Sequence, residues 1–475
     1  MAINIENKME VFWDDYIVDT EKTTAFHRVL NPVRKDGICF NFDKGWEKDY
    51  TCGYPCIVKD GKNYKMYYDY QNFEEIYHPK QALAVLESDD GIHWTRPDLN
   101  IYPHPELEGC NNIVLEPIGD GYYVFVDENP ACPADEKYKA VGAVWRYNEE
   151  KGKDEPKLYC FASPDGYHFK EICTLREDSL FDSMNIILWR NNRYECYFRN
   201  FHPATTRDGV VRDIRVMYSD DFRTWTGGDI IEFSDEEIDT ELYTNNIIPY
   251  ERAPHILIGF PTRYVEKSEW TGNMERMKGG PAKNSLADNY GKERCRRAAT
   301  DCLFMCSRDG KTWTRYVDPF LTPGIEYETN WLYGDNFLSY NMIEKDENTW
   351  LFYEFENHGL FGKEKYLIRY EIIKDRFACI MAENEEKVVV TKPFIFDGND
   401  LHLNFSTSVY GFIHVDVLDK EGNKLEGSES FELFGDTVDR KVNLENGKDY
   451  SEYKGKEIRL RFKMKQAKLY SMQFK

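Results

Sequence analysis

Two acidic residues stand just ahead of apolar, strand-like runs: Asp182 in "FDSMNIILW" and Glu241 in "DTELYTNNIIPY", 59 residues further on. Cleaving a glycosidic bond takes two carboxyl groups across the bond, one held protonated as acid and one ionised as base or nucleophile. A third carboxylate nearby raises the acid's pKa by like-charge repulsion and helps to hold the sugar ring. "WEKDYTCGYPCIV" supplies Asp49 and Glu47 in the same position ahead of an earlier run, with Asp49 the first choice. Asp14 and Asp15 compete for that place, and Asp239 and Asp335 also precede strand-like runs.

Other polar and aromatic residues border the same strand ends. Arg199 closes "YFRNF" and Arg263 closes "GFPTRY"; a guanidinium at the end of a buried strand needs an acceptor. A catalytic carboxylate, a sugar oxygen or a plain structural ion pair each meets that need. "YEFENHG" adds Glu354, Glu356 and His358, and Asp127 ends a strand in "DENP". Trp46, Trp331 and Tyr243 offer ring faces on which a sugar stacks. No clustered His/Asp pattern calls for a catalytic metal, and no cofactor is expected; a structural Ca2+ on a central axis is left open.

Residues this far apart converge only if a repeated element gathers them. "SDDGIHW" (88–94) returns as "SPDGYHF" (163–169), "SDDFRTW" (219–225) and "SRDGKTW" (307–313), with starts 75, 56 and 88 residues apart. A fixed signature at irregular intervals indicates a repeated unit with variable loops. Each copy follows a strand–turn–strand–strand pattern, such as "GYPCIVKDGKNYKMYYDYQN" with "QALAVLES". A second unit begins at "NIVLEPIGDGYYVFVDEN", and a fifth, "FLSYNMIEKDENTWLFYEFENHG" with "YLIRYEII", lacks the signature. In the signature, Asp90, Asp165, Asp221 and Asp309 are expected to cap turn amides. Gly91, Gly166 and Gly310 supply positive φ, and the aromatic packs onto the next strand.

Five such meanders predict an all-β chain: a five-bladed β-propeller over residues 1–382, followed by a β-sandwich over 383–475. The inner strands of a propeller surround one funnel, and their starts bring Asp182, Glu241 and Asp49 together. Residues 265–300 show no strand pattern and read as an irregular insertion; with the sandwich, they are candidate contacts for a homo-oligomer.

The formal net charge, 61 − 84 = −23, argues against nucleic acid or an anionic membrane as partner. The opening "MAINIENKMEVFWDDYIVD" lacks a basic stretch followed by an apolar one, so no secretory signal is expected. No run of about 18 apolar residues suggests a membrane span. The 12 Cys include no C-x-x-C pair and read as reduced, buried thiols of a cytoplasmic protein.

The meanders, the S-x-D-G-x-x-W turns and the acidic strand starts resemble the five-bladed propeller glycosidases of families 43 and 32. "FWDDYIVD", "YKMYYDY", "NPACPADEKYKAV", "LYTNNIIPY…GFPTRY" and "VVVTKPFIF…LHLNFSTSVYG" look most like bacterial family-32-like hydrolases with a C-terminal sandwich. The resemblance spans nearly the whole chain. It implies an Asp on blade one, an Asp on a middle blade (Asp182) and a Glu acid on the blade after it (Glu241). Those families place the first Asp in an Asp-Pro dipeptide, whereas this chain has Tyr54-Pro55. The implied activity is a glycoside hydrolase (EC 3.2.1.-), exo-acting on short oligosaccharides, furanosides among them. A glycoside phosphorylase would need a cationic phosphate pocket, for which Arg199, Arg263 and His358 are available, and a non-catalytic carbohydrate-binding propeller is the third reading.

Overall fold

Alternating apolar and polar residues, punctuated by Gly, Asn and Asp turns, produce strands almost throughout. The structure is a computed structural model. It describes residues 2–475 except 36, 48–49, 52–53, 72–80, 108–110, 117–119, 177–180, 236, 238, 268, 270–296, 326–327, 332–336 and 357–364. The chain divides into two compact units. One comprises Met1–Pro32, Pro249–Leu257 and Ile372–Lys475, the other Val33–Ile248 and Ile258–Glu371. This grouping and the sequence division at 382/383 assign residues 1–32, 249–257 and 372–382 differently.

Five meanders form a five-bladed propeller; most of it falls in the larger unit, while Pro249–Leu257 of blade 4 and Ile372–Ile373 of blade 5 are grouped with the smaller one. Blade 1 runs outward from Cys56–Asp60 through Asn63–Gln71 and Gln81–Ser88 to Ile113–Leu115. Blade 2 is Asp120–Val126, Tyr138–Asn148, Lys153–Ser163 and Lys170–Arg176; blade 3 is Ile186–Arg190, Arg193–Pro203, Val210–Ser219 and Thr226–Ile230. Blade 4 is Ile248–Tyr250, Ala253–Gly259, Met305–Ser307 and Thr312–Arg315, with Glu232–Phe233 added at its outer edge. Blade 5 starts with Ile343–Asp346, Thr349–Glu356 and Lys365–Ile373.

Three details differ from the sequence reading. Ile113–Leu115, expected to open blade 2, pairs with Gln81–Ser88 and closes blade 1. Blade 5 does not stop at three strands: Val33–Arg34 and Phe40–Phe42 pair with Lys365–Ile373 and complete it. The ends of the 265–300 insertion are ordered as a hairpin, Thr262–Glu266 against Ala298–Cys302.

Hydrogen bonds between blades complete the ring. The Tyr340 amide donates to Pro55 O at 2.7 Å, and the Ile57 amide donates to Tyr340 O at 3.0 Å, joining blade 5 to blade 1. Cys56 Sγ lies 3.5 Å from Tyr122 O, and the Tyr123 hydroxyl donates to Ile187 O at 3.2 Å. Asn245 Nδ2 donates to Tyr197 O at 3.1 Å and Asn246 Nδ2 to Leu338 O at 2.6 Å, linking blade 4 to blades 3 and 5.

The repeated signature is a clasp. Asp90 Oδ1 accepts from the amides of Ile92 (2.7 Å) and His93 (2.8 Å), while Ser88 Oγ accepts from Gly91 N (2.9 Å). Asp165, Asp221 and Asp309 accept two amides each in the same way. Gly91, Gly166 and Gly310 have φ of +69°, +80° and +81°, and Phe222 takes the equivalent place in the third copy at +63°. The three glycine clasps abut the preceding blade, which gives a second reason for glycine in those copies. A Cβ on Gly166 would sit 2.6 Å from the Tyr67 hydroxyl, and one on Gly91 would sit 2.7 Å from Ile343 Cγ2. The aromatics also pack backwards rather than onto the next strand as expected: Phe169 on Tyr67, Trp313 on Tyr197 and Trp94 on Tyr353.

In the smaller unit, Leu401–Asp419 and Ile458–Phe474 pair from Leu401↔Phe474 to Asp419↔Ile458. A bulge between Thr407 and Phe412, opposite Gln466 (φ +42°), bends both strands, so the sheet folds over its own core. That core includes Phe12, Val389, Phe405, Ile413, Val415, Leu460 and Phe462.

Candidate functional site

Asp182 sits in a tight bend before the inner strand of blade 3. Phe181 has a positive φ of 54°, and Asn185 Nδ2 secures the bend by donating to Phe181 O (3.0 Å) and Ser183 O (2.7 Å). Gly121 at the start of blade 2 lies so close to Ser183 that a Cβ would come within 2.5 Å of its carbonyl carbon. Arg199, buried on the neighbouring strand, forms an ion pair with Asp182, whose side chain is partly exposed.

Glu241 is fixed by its backbone and by two arginines. Its carbonyl accepts from Tyr264 N at 3.0 Å, and the next amide, Leu242 N, donates to Arg212 O at 3.1 Å. Arg212 donates to Glu241 Oε2, and Arg207 Nη2 donates to Oε1 at 2.6 Å. Both carboxylate oxygens therefore accept from a guanidinium. Asp239 acts on the backbone instead. It accepts from Thr205 N (2.9 Å) and Thr206 N (2.6 Å), tethering the hairpin loop that carries Arg207. The Thr206 hydroxyl and the loop amides hold its carboxyl well below the usual carboxylate range.

The arginine partners of the two acidic residues share one ring. The Arg199 guanidinium lies 5.1 Å from the Tyr243 centroid, and that of Arg212 lies 5.6 Å from it. Arg212 also stacks on Tyr264 at 4.3 Å. Tyr243 continues into an aromatic band through Phe337 (5.7 Å) to Tyr54 (5.4 Å), which crosses the inner-strand starts of blades 4, 5 and 1. Arg212, Thr240 and Leu242 further line a cavity of about 360 Å³ with His202, Asp213 and Arg315.

The remaining candidates have internal partners. Glu47 is fully buried in blade 1, accepting from the Tyr68 hydroxyl (2.7 Å) and Arg96 Nη2 (2.6 Å). Burial pushes its carboxyl up against the opposing pull of Arg96. Trp46 packs edge-on against Tyr70 in the same core. Asp127 is locked by Lys139 Nζ (2.5 Å) and the Tyr194 hydroxyl (2.8 Å). Arg263 pairs with Asp301 across its hairpin (2.9 and 2.5 Å), and Glu356 receives both 3.0 Å contacts from Arg34 Nη2. Trp331 is 45% exposed, with its indole N–H on Gly324 O. Asp49, Asp335 and His358 lie outside the described residues. Among the described residues, no group of three or more His, Cys, Asp or Glu side chains is disposed to hold a metal ion.

Sequence reading passes over Arg207, Arg212, Phe337 and Tyr54 as site residues. Arg212 is the most accessible of these: in "VVRDIRV" it opens the third strand of a meander, at the same end as Arg199.

No family model matches the chain, and no curated protein sequence does either. Among solved structures, the chain is similar to one described as a glycoside hydrolase, at 10% identity and a TM-score of 0.47, covering 72% of this chain and 92% of the other. The Bombyx mori family 32 β-fructofuranosidase BmSUC1 matches at 7% identity and a TM-score of 0.40, over 94% of each chain. A structure from the family 130 mannoside phosphorylases, described as containing hydrolases of β-1,2 mannosidic linkages in Candida mannan, matches at 12% identity and a TM-score of 0.41 (72% and 94%).

Proposed function

We propose that the protein is a glycoside hydrolase whose reacting carboxyl groups are Asp182 and Glu241, with Asp49 as the blade-one carboxylate. One observation supports this most: the two acidic residues come from the inner-strand starts of successive blades, and their arginine partners share the Tyr243 ring. In this reading Glu241 donates the proton to the leaving oxygen, Asp182 stays ionised across the bond as base or nucleophile, and Asp49 raises the acid's pKa and holds the ring. Proton donation requires Arg207 to withdraw, and its place on an exposed hairpin loop allows that. The enzyme is read as exo-acting on short oligosaccharides. Such substrates, furanosides among them, suit a cytoplasmic enzyme that trims imported sugars.

A second reading is favoured by one feature. Arg199, Arg207 and Arg212 place three guanidiniums around two carboxylates, a surplus of positive charge that suits phosphate as co-substrate. Turnover of an aryl-glycoside and oligosaccharide panel with and without inorganic phosphate separates the two. Hydrolysis predicts phosphate-independent release of reducing sugar, and loss of kcat by about 10²–10⁴-fold in Asp182→Asn and Glu241→Gln with unchanged melting. Unaltered activity in both variants would reject the assignment.

A further inference from the structure

The strand Ile458–Phe474 has a charge pattern unlike the rest of the chain. It carries Arg459, Arg461, Lys463, Lys465 and Lys468 and no acidic residue, in a chain of net charge −23. The first four alternate with the core residues Leu460, Phe462 and Met464, so they share the outward face of the sheet. Asp19 takes up Arg459, and Asp416 takes up Arg461 and Lys463. Lys465 has no carboxylate partner among the described residues; its ammonium lies 4.7 Å from the centroid of the Tyr410 ring.

Aromatic side chains flank this cationic row. Lys465 is paired with Phe412 on the adjacent strand. Ile413 and Leu433 exchange both backbone bonds at 2.9 Å, which makes Phe412 and Phe434 the next antiparallel pair, on the outward face. Phe434 is 62% exposed and Tyr410 is 71% exposed. The bulge before Phe412 aims Tyr410 outward, and Gly411 permits it: a Cβ there would collide with Gln466 O and lie 2.7 Å from Lys465 O. The sheet is thus shaped to hold three rings and a free ammonium at its surface, an arrangement that core packing does not require.

We propose that this face binds a polysaccharide bearing uronic acids. Tyr410, Phe412 and Phe434 stack on the apolar faces of successive sugars, and Lys465 receives a carboxylate. Charge argues for this occupant: Asp416 and Glu432 on the same face are taken up by Arg461, Lys463 and His414, while the Lys465 ammonium among the rings has no carboxylate partner among the described residues. The proposal is independent of the reaction in the funnel.

Affinity electrophoresis of the full chain in gels containing polygalacturonate, with neutral inulin as the control polymer, tests it. Polygalacturonate should retard the wild-type protein in a salt-sensitive manner, and inulin should not. Tyr410→Ala and Lys465→Gln should each weaken retardation at least 10-fold with unchanged melting, as both side chains are at the surface. Absent or equal retardation by the two polymers overturns the proposal. So does a concentration-dependent dimer that Tyr410→Ala abolishes, which would assign the face to a second copy of the chain. Because the readout is binding, neither result bears on the funnel carboxylates.

Discussion

Arg212 and Glu241 face one another across the junction of blades 3 and 4, each anchored by the other's strand: the guanidinium holds the carboxylate, and the Arg212 carbonyl accepts from the amide that follows Glu241. Replacing Arg212 with Ala strips a nearly buried carboxylate of a partner and removes a cation from the Tyr264 and Tyr243 rings. A stability loss of about 2 kcal/mol is expected, with a large fall in kcat. Arg207→Ala on the exposed loop should leave melting unchanged and alter turnover only modestly. Thermal melts alongside steady-state kinetics of both variants check this contrast.

The four clasp aspartates make the fold sensitive to acid. Burial works against ionisation of Asp90, but the His93 and Ile92 amides outweigh it, and the same balance lowers Asp165 and Asp309. For Asp221 the Thr224 and Arg223 amides bring the carboxyl down to about 2 from 3.8. A carboxyl lowered in the folded chain binds its proton less readily there than in the unfolded chain. Its stabilisation is therefore complete above the unfolded pKa and is lost as pH falls through the folded one. Melting temperature should drop as pH falls from about 4 to about 2, and Asp221→Asn should flatten that limb while lowering the plateau.

Two glycines separate backbone strain from contact. Gly61 has φ of +65° and open space where a Cβ would lie; Gly166 has φ of +80° and the Tyr67 hydroxyl 2.6 Å from that point. Gly61→Ala should cost about 1–2 kcal/mol, the penalty of a left-handed Ala. Gly166→Ala should cost clearly more, because Tyr67 on the preceding blade must move as well. Urea unfolding of the two variants gives the difference directly.

The Arg34–Glu356 pair ties the completing strand of blade 5 to its buried second strand. Arg34→Ala should destabilise by about 3–5 kcal/mol, since a carboxylate that is almost fully buried loses a two-point partner. A double variant, Arg34→Met with Glu356→Met, should recover part of that loss. If the single variant melts like wild type, the pair does not secure the blade.

What sequence exposes here is short-range. The Ser-x-Asp clasps are legible because their hydrogen bonds close within six residues; they mark four of the five meanders, and the fifth is read from its strand–turn–strand–strand order. Ile113–Leu115 is misplaced by sequence alone, since an apolar run of that length fits either edge of a loop; only its pairing with Ala84 decides. The strands at 33–42 escape notice because their partner lies more than 320 residues downstream. Asp182 and Glu241 stand out by their position before apolar runs. Their guanidinium partners depend on cross-strand register, such as Phe201↔Arg212, which no local pattern encodes.

That long-range completion of blade 5 has a bearing on biogenesis. Residues 33–42 leave the ribosome more than 320 residues ahead of their ladder partner, 365–373. Until then the nascent circle stays open, with an unpaired edge at each end for a chaperone or a stray strand to find. Transplanting 33–42 to follow residue 373 would let the last blade close by local pairing, and the yield of soluble protein would register the gain.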